Sequence, residues 1–372
     1  MNWRLGKGSR LWGLRHLSHS GRDWLRKVRR SGRDFMDRLL GAAVKLPVIA
    51  VVDAVGHAAP GERTRVFRRS VRFLFRTRLP APPEVCKING EAEFESGFSQ
   101  LAAMLGQAGT NPSPGEVEFL ASIPKRRNYY PGTIEYRDAL FLNAFVSILA
   151  PRRVLEIGTL GGFSAGIIAA ALARRHGNCD AIWVDTIDVS AQCVPDQTRP
   201  TGFEIAELFP ELAPMIHMHI PADSSFVSQL ARRDELELAF IDADHRHPFP
   251  LLDLLRLAPY VRGDGWILLH DIDFGTMTRK AIAVGRPPGW EPVYGAEWLF
   301  NHWPFRKITT CSPPRWATGG GGNIGAVQLP RDKSALIPFA LRLMSIPFEI
   351  RDEHARSTRR VLYQSLGKLI SV

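Results

Sequence analysis

From residue 152 onward, short apolar runs alternate with stretches whose apolar positions recur every three or four residues. The runs at 153–157, 181–185, 215–219, 237–242 and 265–270 read as strands. The stretches near 162–175, 224–233 and 249–259 read as helices, with 199–209 as a further one. Parallel neighbours need a crossover connection, so the alternation predicts an α/β fold with a doubly wound, mostly parallel sheet. "RKITTCS" (306–312) and "NIGAVQLP" (323–330) add two strands around a loop containing "GGGG", for a seven-stranded sheet. Ahead of it, "EAEFESGFSQLAAMLGQ" and "YRDALFLNAFVSILA" carry apolar positions at helical spacing, and "NPSPGE" and "NYYPGT" break them apart. The expected organisation is therefore an N-terminal segment over 1–85, a helical cap over 86–150, the α/β body over 151–330 and a helical extension over 331–372.

Charge divides the chain more sharply than hydropathy does. Residues 1–80 hold 19 Lys and Arg against 5 Asp and Glu, a net of +14, whereas the remainder holds 29 against 32, a net of −3. Within the basic part, Trp24, Val28, Phe35 and Leu39 fall on one helical face, with Arg26, Arg29, Arg30 and Arg33 between them. Such a helix suits an anionic membrane surface, nucleic-acid phosphates, or a solvated arm packed on the body. The apolar stretch from Leu39 to Val52 holds Lys45 and Pro47 and is too short to span a bilayer. The four cysteines show no Cys-x-x-Cys spacing, so neither a zinc knuckle nor a disulfide framework is expected. A cytoplasmic protein is expected, with a peripheral place at a membrane open to the basic segment.

The candidate chemistry begins at "VLEIGTLGGFSAG", residues 154–166. A phosphate-binding loop would need a lysine after the glycines, and none follows Gly161 or Gly162. A dinucleotide fingerprint would need a second glycine where Leu160 stands. What is left is an acid at the end of a strand, Glu156, then Gly158, Gly162 and Ser164: backbone with little side chain, suited to a cationic ligand without phosphate.

On these residues the chain resembles the class I S-adenosylmethionine-dependent methyltransferases, and among them the small-molecule and sugar O-methyltransferases. Their first motif reads Val-Leu-Glu-Ile-Gly, three variable residues, then Gly-aromatic-Ser, as Val154 to Ser164 do. The resemblance covers roughly residues 130–330 and implies a Rossmann-like fold with S-adenosyl-L-methionine as methyl donor, so that 151–330 is the donor-binding domain. It also implies an acid closing the second strand to hold the ribose hydroxyls, Asp185 in "AIWVD" with Asp188 as fallback. A polar pair beside the adenine is implied after the third strand, Asp223 and Ser224.

Ligands of open parallel sheets bind outside the carboxyl ends of the strands, which directs attention to "LAFIDADHRHPF" and "GWILLHDID". Methyl transfer to an alcohol needs the nucleophile positioned and its proton removed, by a histidine base or by a divalent metal. Asp242, His245 and Asp271 form the expected catalytic set. In the sugar-type members a histidine three residues after the first aspartate serves as base, which is the position of His245. In the metal-dependent members the corresponding acids hold magnesium, here Asp242, His270 and Asp271; a histidine in place of one hard oxygen ligand weakens a magnesium site. His247 reads as a helix-entry residue. Trp290, Tyr294, Trp298, Phe300, Trp303 and Trp316 offer either an aromatic wall for an acceptor or ordinary core. The expected partner is a small-molecule or glycan acceptor, and the helical extension over 331–372 reads as either a packing helix or a homodimer contact. Nucleic-acid methylation lacks a recognisable motif, and a catalytically silent scaffold is the remaining alternative.

Overall fold

In a computed structural model of the protein, the described residues are 79–88, 90–126, 133–177, 182–285, 291–310 and 323–370. The basic helix expected around Trp24 to Leu39, and Trp290 and Trp316, lie outside them. Among the described residues, eight strands form one sheet: β1 (Glu84–Cys86), β2 (Arg153–Ile157), β3 (Trp183–Ile187), β4 (Ile216–His219), β5 (Leu236–Ile241), β6 (Val261–His270), β7 (Lys307–Thr310) and β8 (Ile324–Gln328). The helices that matter here are α1 (Glu91–Met104), α2 (Glu116–Arg126), α3 (Tyr136–Leu149), α4 (Phe163–His176), α5 (Phe203–Leu208), α6 (Phe249–Leu257), α7 (Phe274–Ala283), α8 (Gly295–Asn301), α9 (Leu336–Met344) and α10 (Asp352–Ile370).

The sheet order is β1-β7-β8-β6-β5-β2-β3-β4, parallel except where β8 pairs with β6 and β7. The expected seven strands are thus eight. The addition, β1, is three residues long and pairs with β7 far along the chain; a piece that short shows no alternation to read. The central strands read as near-continuous apolar runs because helices cover both faces. Leu155, Val184, Leu238, Phe240, Ile267 and Leu268 are fully buried. Helix α3 packs along α4 and contributes Phe141, Phe145 and Leu142 to the core. The helix expected over 224–233 is a 3-10 turn at Ser224–Phe226 followed by one turn of α-helix at Val227–Leu230. No helix among the described residues is long and apolar enough to cross a membrane.

This order fixes where a ligand can sit. The chain runs outward from β2 through β3 to β4, then returns to lay β5 on the other side of β2. The crevice outside the carboxyl ends of β2 and β5 is the switch point, where side chains from two diverging loops face one space.

Candidate functional site

The turn after β2 and the turn after β5 are locked together. Gly158 has φ +101°, and a Cβ there would lie 2.1 Å from the carbonyl oxygen of Asp242. Only a residue without a side chain lets these backbones approach. Asp242 extends the ladder one residue beyond β5, its N–H donating to the Ile157 carbonyl at 2.9 Å. Ser164 lies in the first turn of α4, buried beneath the same turn.

Glu156 is fully buried, one carboxylate oxygen accepting from the Thr186 hydroxyl at 2.6 Å and the other without any partner. Burial pushes its pKa up to about 8; the Ser164 and Thr186 hydroxyls oppose this, and the charges of Asp242 and Asp188 add to it. A buried carboxylate with an orphaned oxygen, beside a backbone cradle that a Cβ would fill, fits a cationic, hydrogen-bonding donor such as S-adenosylmethionine.

The acid at the tip of β3 is Asp188, not Asp185. The strand ends at Ile187, two residues later than expected, so Asp185 lies within it. The Asp185 carboxylate is held by Arg153, by the Trp183 indole N–H at 2.9 Å and by His219 at 2.8 Å. Asp188 instead accepts the backbone N–H groups of Thr159 and Leu160, both at 3.0 Å, and fastens the glycine-rich turn after β2 to the end of β3. Leu160 has φ +45°, a left-handed conformation costly for a non-glycine residue, and these bonds hold it there. After β4, Asp223 caps the 3-10 turn through the Ser225 N–H and pairs with Arg256. Ser224 is buried and donates to Asp253.

The carboxyl ends of β5 and β6 bring together Asp242, His245 and Asp271. His245 Nε2 lies 2.8 Å from Asp271 Oδ2, and the His245 side chain is 26% exposed, within reach of a second molecule. Asp271 follows β6 with φ +57°, which turns its carboxylate back toward the loop; Asn323 donates to its other oxygen at 2.6 Å. Burial opposes charge on His245, but Asp271 and Asp242 outweigh it and raise its pKa. Asp271 is driven the other way: His245 and His270 overcome its burial and lower it.

His270 differs from expectation. It is buried, and its ring nitrogens face Asp242 Oδ1 at 3.1 Å and Asp138 Oδ2 at 3.3 Å. The described donor groups that converge within 4.8 Å, close enough for one metal ion, are Asp242, His245 and Asp271, so His245 replaces His270 in the expected metal set. His270 instead ties Asp242 to Asp138 of α3, and against its burial Asp242, Asp271 and Asp138 hold its pKa well above the usual histidine value.

Asp138 and Asn323, which the fold brings to this cluster, were not legible from the sequence. For Asp138 a signal existed, an acid inside the apolar helix "YRDALFLNAF"; Asn323 merely precedes β8. Of the aromatic residues left open between an acceptor wall and ordinary core, Trp303 and Phe300 are core, Trp303 edge-on to Phe305 and Phe339. Trp298 and Tyr294 stack on each other near the His245 loop.

Residues 155–272 match the model of a family described as a methyltransferase domain. The matched segment is less than half of the chain and contains both turns and all three converging residues. Among solved structures, an O-methyltransferase from Bacillus cereus in complex with SAH is 19% identical, with a TM-score of 0.38, and the match covers 64% of this chain and 100% of that one. TomG, an O-methyltransferase from Streptomyces achromogenes involved in tomaymycin synthesis and crystallised with SAM, is 15% identical with a TM-score of 0.37, over 63% and 98% of the two chains. No curated protein matches the chain.

Proposed function

We propose that the chain, whose residues 155–272 match a methyltransferase-domain family, is a class I S-adenosylmethionine-dependent methyltransferase that methylates a hydroxyl group of a small molecule or glycan, with His245 as general base. The observation that carries this reading is the His245–Asp271 pair, 2.8 Å apart and partly open to solvent, on the loop that packs against the donor turn.

When bound, the donor supplies an activated methyl group on a cationic sulfur. The protein's part is to hold the donor, aim the acceptor oxygen at the methyl carbon and take up the hydroxyl proton. Glu156, the Gly158 turn and Asp188 hold the donor side. Asp271 accepts the Nε2 proton of His245 and orients the ring, which puts the lone pair on Nδ1. That nitrogen takes the proton from the acceptor oxygen as its bond to the methyl carbon forms and the bond from sulfur breaks, leaving a neutral thioether. The raised pKa of His245 means that the base is protonated and idle at acid pH, so turnover rises with pH and its acid limb lies above the ordinary histidine value.

The convergence of Asp242, His245 and Asp271 favours a second reading. These residues would hold a divalent ion softer than magnesium, which would polarise the acceptor hydroxyl. An ion held there would need an imidazole nitrogen that the base reading also uses, so ion and base are alternatives at His245.

The test is incubation of extracts with methyl-labelled S-adenosylmethionine, comparing the parent with His245→Ala. Donor binding should persist in the variant while label transfer falls about 10²- to 10⁴-fold, the usual worth of a general base. Equal transfer by parent and variant would remove His245 from the mechanism. Absence of donor binding by the parent in calorimetry would return the chain to the scaffold class.

A further inference from the structure

We infer that Glu349, outside the methyltransferase domain, is a positioning residue that sets the His245–Asp271 geometry by clamping the main chain of the catalytic loop; this rests on the reading of His245 as the base. The loop from Asp242 to Pro248 leaves β5 and enters α6, and the backbone groups of His245 and His247 within it are answered from two distant segments. The Glu349 carboxylate accepts the His247 N–H at 2.6 Å and the Tyr294 N–H at 3.0 and 3.1 Å, one contact to each oxygen. The Glu349 N–H returns a bond to the His247 carbonyl at 2.8 Å. Next to Tyr294, the Gly295 N–H donates to the His245 carbonyl at 2.9 Å, and a Cβ on Gly295 would come within 2.6 Å of that oxygen. Three strands of main chain thus cross at one half-buried carboxylate.

The side chain of His247 completes the clamp. It is buried, its Nε2 bonds to the Leu343 carbonyl at 3.0 Å, and its ring stands edge-on to Trp298 and Phe348, both 5.3 Å away. Burial lowers its pKa to about 4, so it stays a neutral donor over the working range. With residues 245 and 247 fixed by their backbones, the His245 side chain is left to meet Asp271. A carboxylate spanning two N–H groups holds them at a set separation. Without it, two backbone donors, on buried His247 and half-buried Tyr294, lose their acceptor and the loop relaxes. Because a base misplaced by about 1 Å loses on the order of 10²-fold in rate, the clamp governs turnover from outside the reacting centre.

The test compares Glu349→Ala, Glu349→Gln and Gly295→Ala with the parent. The first readout is the ¹⁵N and ¹H resonance of the His245 ring with S-adenosylmethionine bound, assigned by its loss in His245→Ala. The parent and Glu349→Gln, whose amide oxygen can accept both N–H groups, should keep the hydrogen-bonded Nε2–H signal. Glu349→Ala and Gly295→Ala should lose it, with donor affinity by calorimetry within about threefold of the parent. Label transfer from methyl-labelled donor should follow the same order, and Glu349→Ala should bring no further loss in a His245→Ala background. An unchanged His245 signal in Glu349→Ala, or donor binding lost together with it, would overturn the clamp. Should Glu349→Ala fail to fold, Glu349→Asp, one methylene shorter, serves instead, and an unshifted signal there likewise refutes it. Because the ring resonance is read without turnover, a failure of the base reading leaves this result distinct.

Discussion

Replacing Glu156 with glutamine should make the protein more stable and a poorer binder of its donor. The carboxyl titrates at about 8 in the fold against an ordinary value of 4.5. For an acid raised in this way, the folded state holds the proton more tightly than the unfolded chain. Its contribution to stability is therefore present in full below pH 4.5 and is lost as pH rises through 8. At pH 7 about 2.5 pH units of that interval have been crossed, which at 1.36 kcal/mol per unit amounts to about 3 kcal/mol. Glutamine carries no such burden and still presents an oxygen to the Thr186 hydroxyl. Chemical denaturation should show Glu156→Gln ahead of the parent by under ~1 kcal/mol at pH 5, about 3 at pH 7 and about 4 at pH 8. At pH 7 that corresponds to a rise in Tm of roughly 6 °C or more. Calorimetry with S-adenosylmethionine should show the opposite trend in function. A hydrogen bond to a charged group is worth about 1.5–3 kcal/mol, so affinity should fall about tenfold or more. A stability difference that does not change between pH 5 and pH 8 would refute the assignment of an isolated buried carboxyl, and undiminished donor affinity would refute its role in the site.

Three further outcomes follow from the geometry. Gly158→Ala forces a Cβ against the Asp242 carbonyl at a left-handed position, and it should cost about 3 kcal/mol in denaturation and abolish label transfer; an active, stable variant would mean that the two turns are not locked. Asp185→Asn breaks a buried ion pair with Arg153 and should lower stability by about 3 kcal/mol while leaving donor affinity within threefold, whereas Asp188→Asn should weaken donor binding; the reverse ranking by calorimetry would restore Asp185 to the ribose role. Exhaustive chelation should leave label transfer unchanged if His245 is the base, and a loss restored by manganese or zinc would transfer the proton chemistry to an ion on Asp242, His245 and Asp271.

The sequence by itself determined the α/β alternation, the glycine-rich turn after the first core strand and the placing of Asp242, His245 and Asp271 at the ends of the fourth and fifth. Each is a local pattern: a strand's apolar run, the glycines that relieve crowding at a turn, an aspartate ending a strand with a histidine three residues on. Periodicity and turn chemistry act within a few residues, so they can be read from text. Where a strand stops is less local. β3 runs to Ile187 because its ladder with β2 and β4 continues that far, and this moved the tip acid from Asp185 to Asp188.

Only the tertiary structure decided which distant groups share the site. Asp138 reaches His270 across 132 positions of sequence, Asn323 reaches Asp271 across 52, and Glu349 reaches the His247 N–H across 102. No spacing rule links such pairs, because they meet only after the sheet has set the order of its strands. The same cause turned His270 from an expected ligand into a bridge between buried carboxylates. The direction a side chain faces at a strand's end depends on what packs above it, and that is a property of the assembled fold.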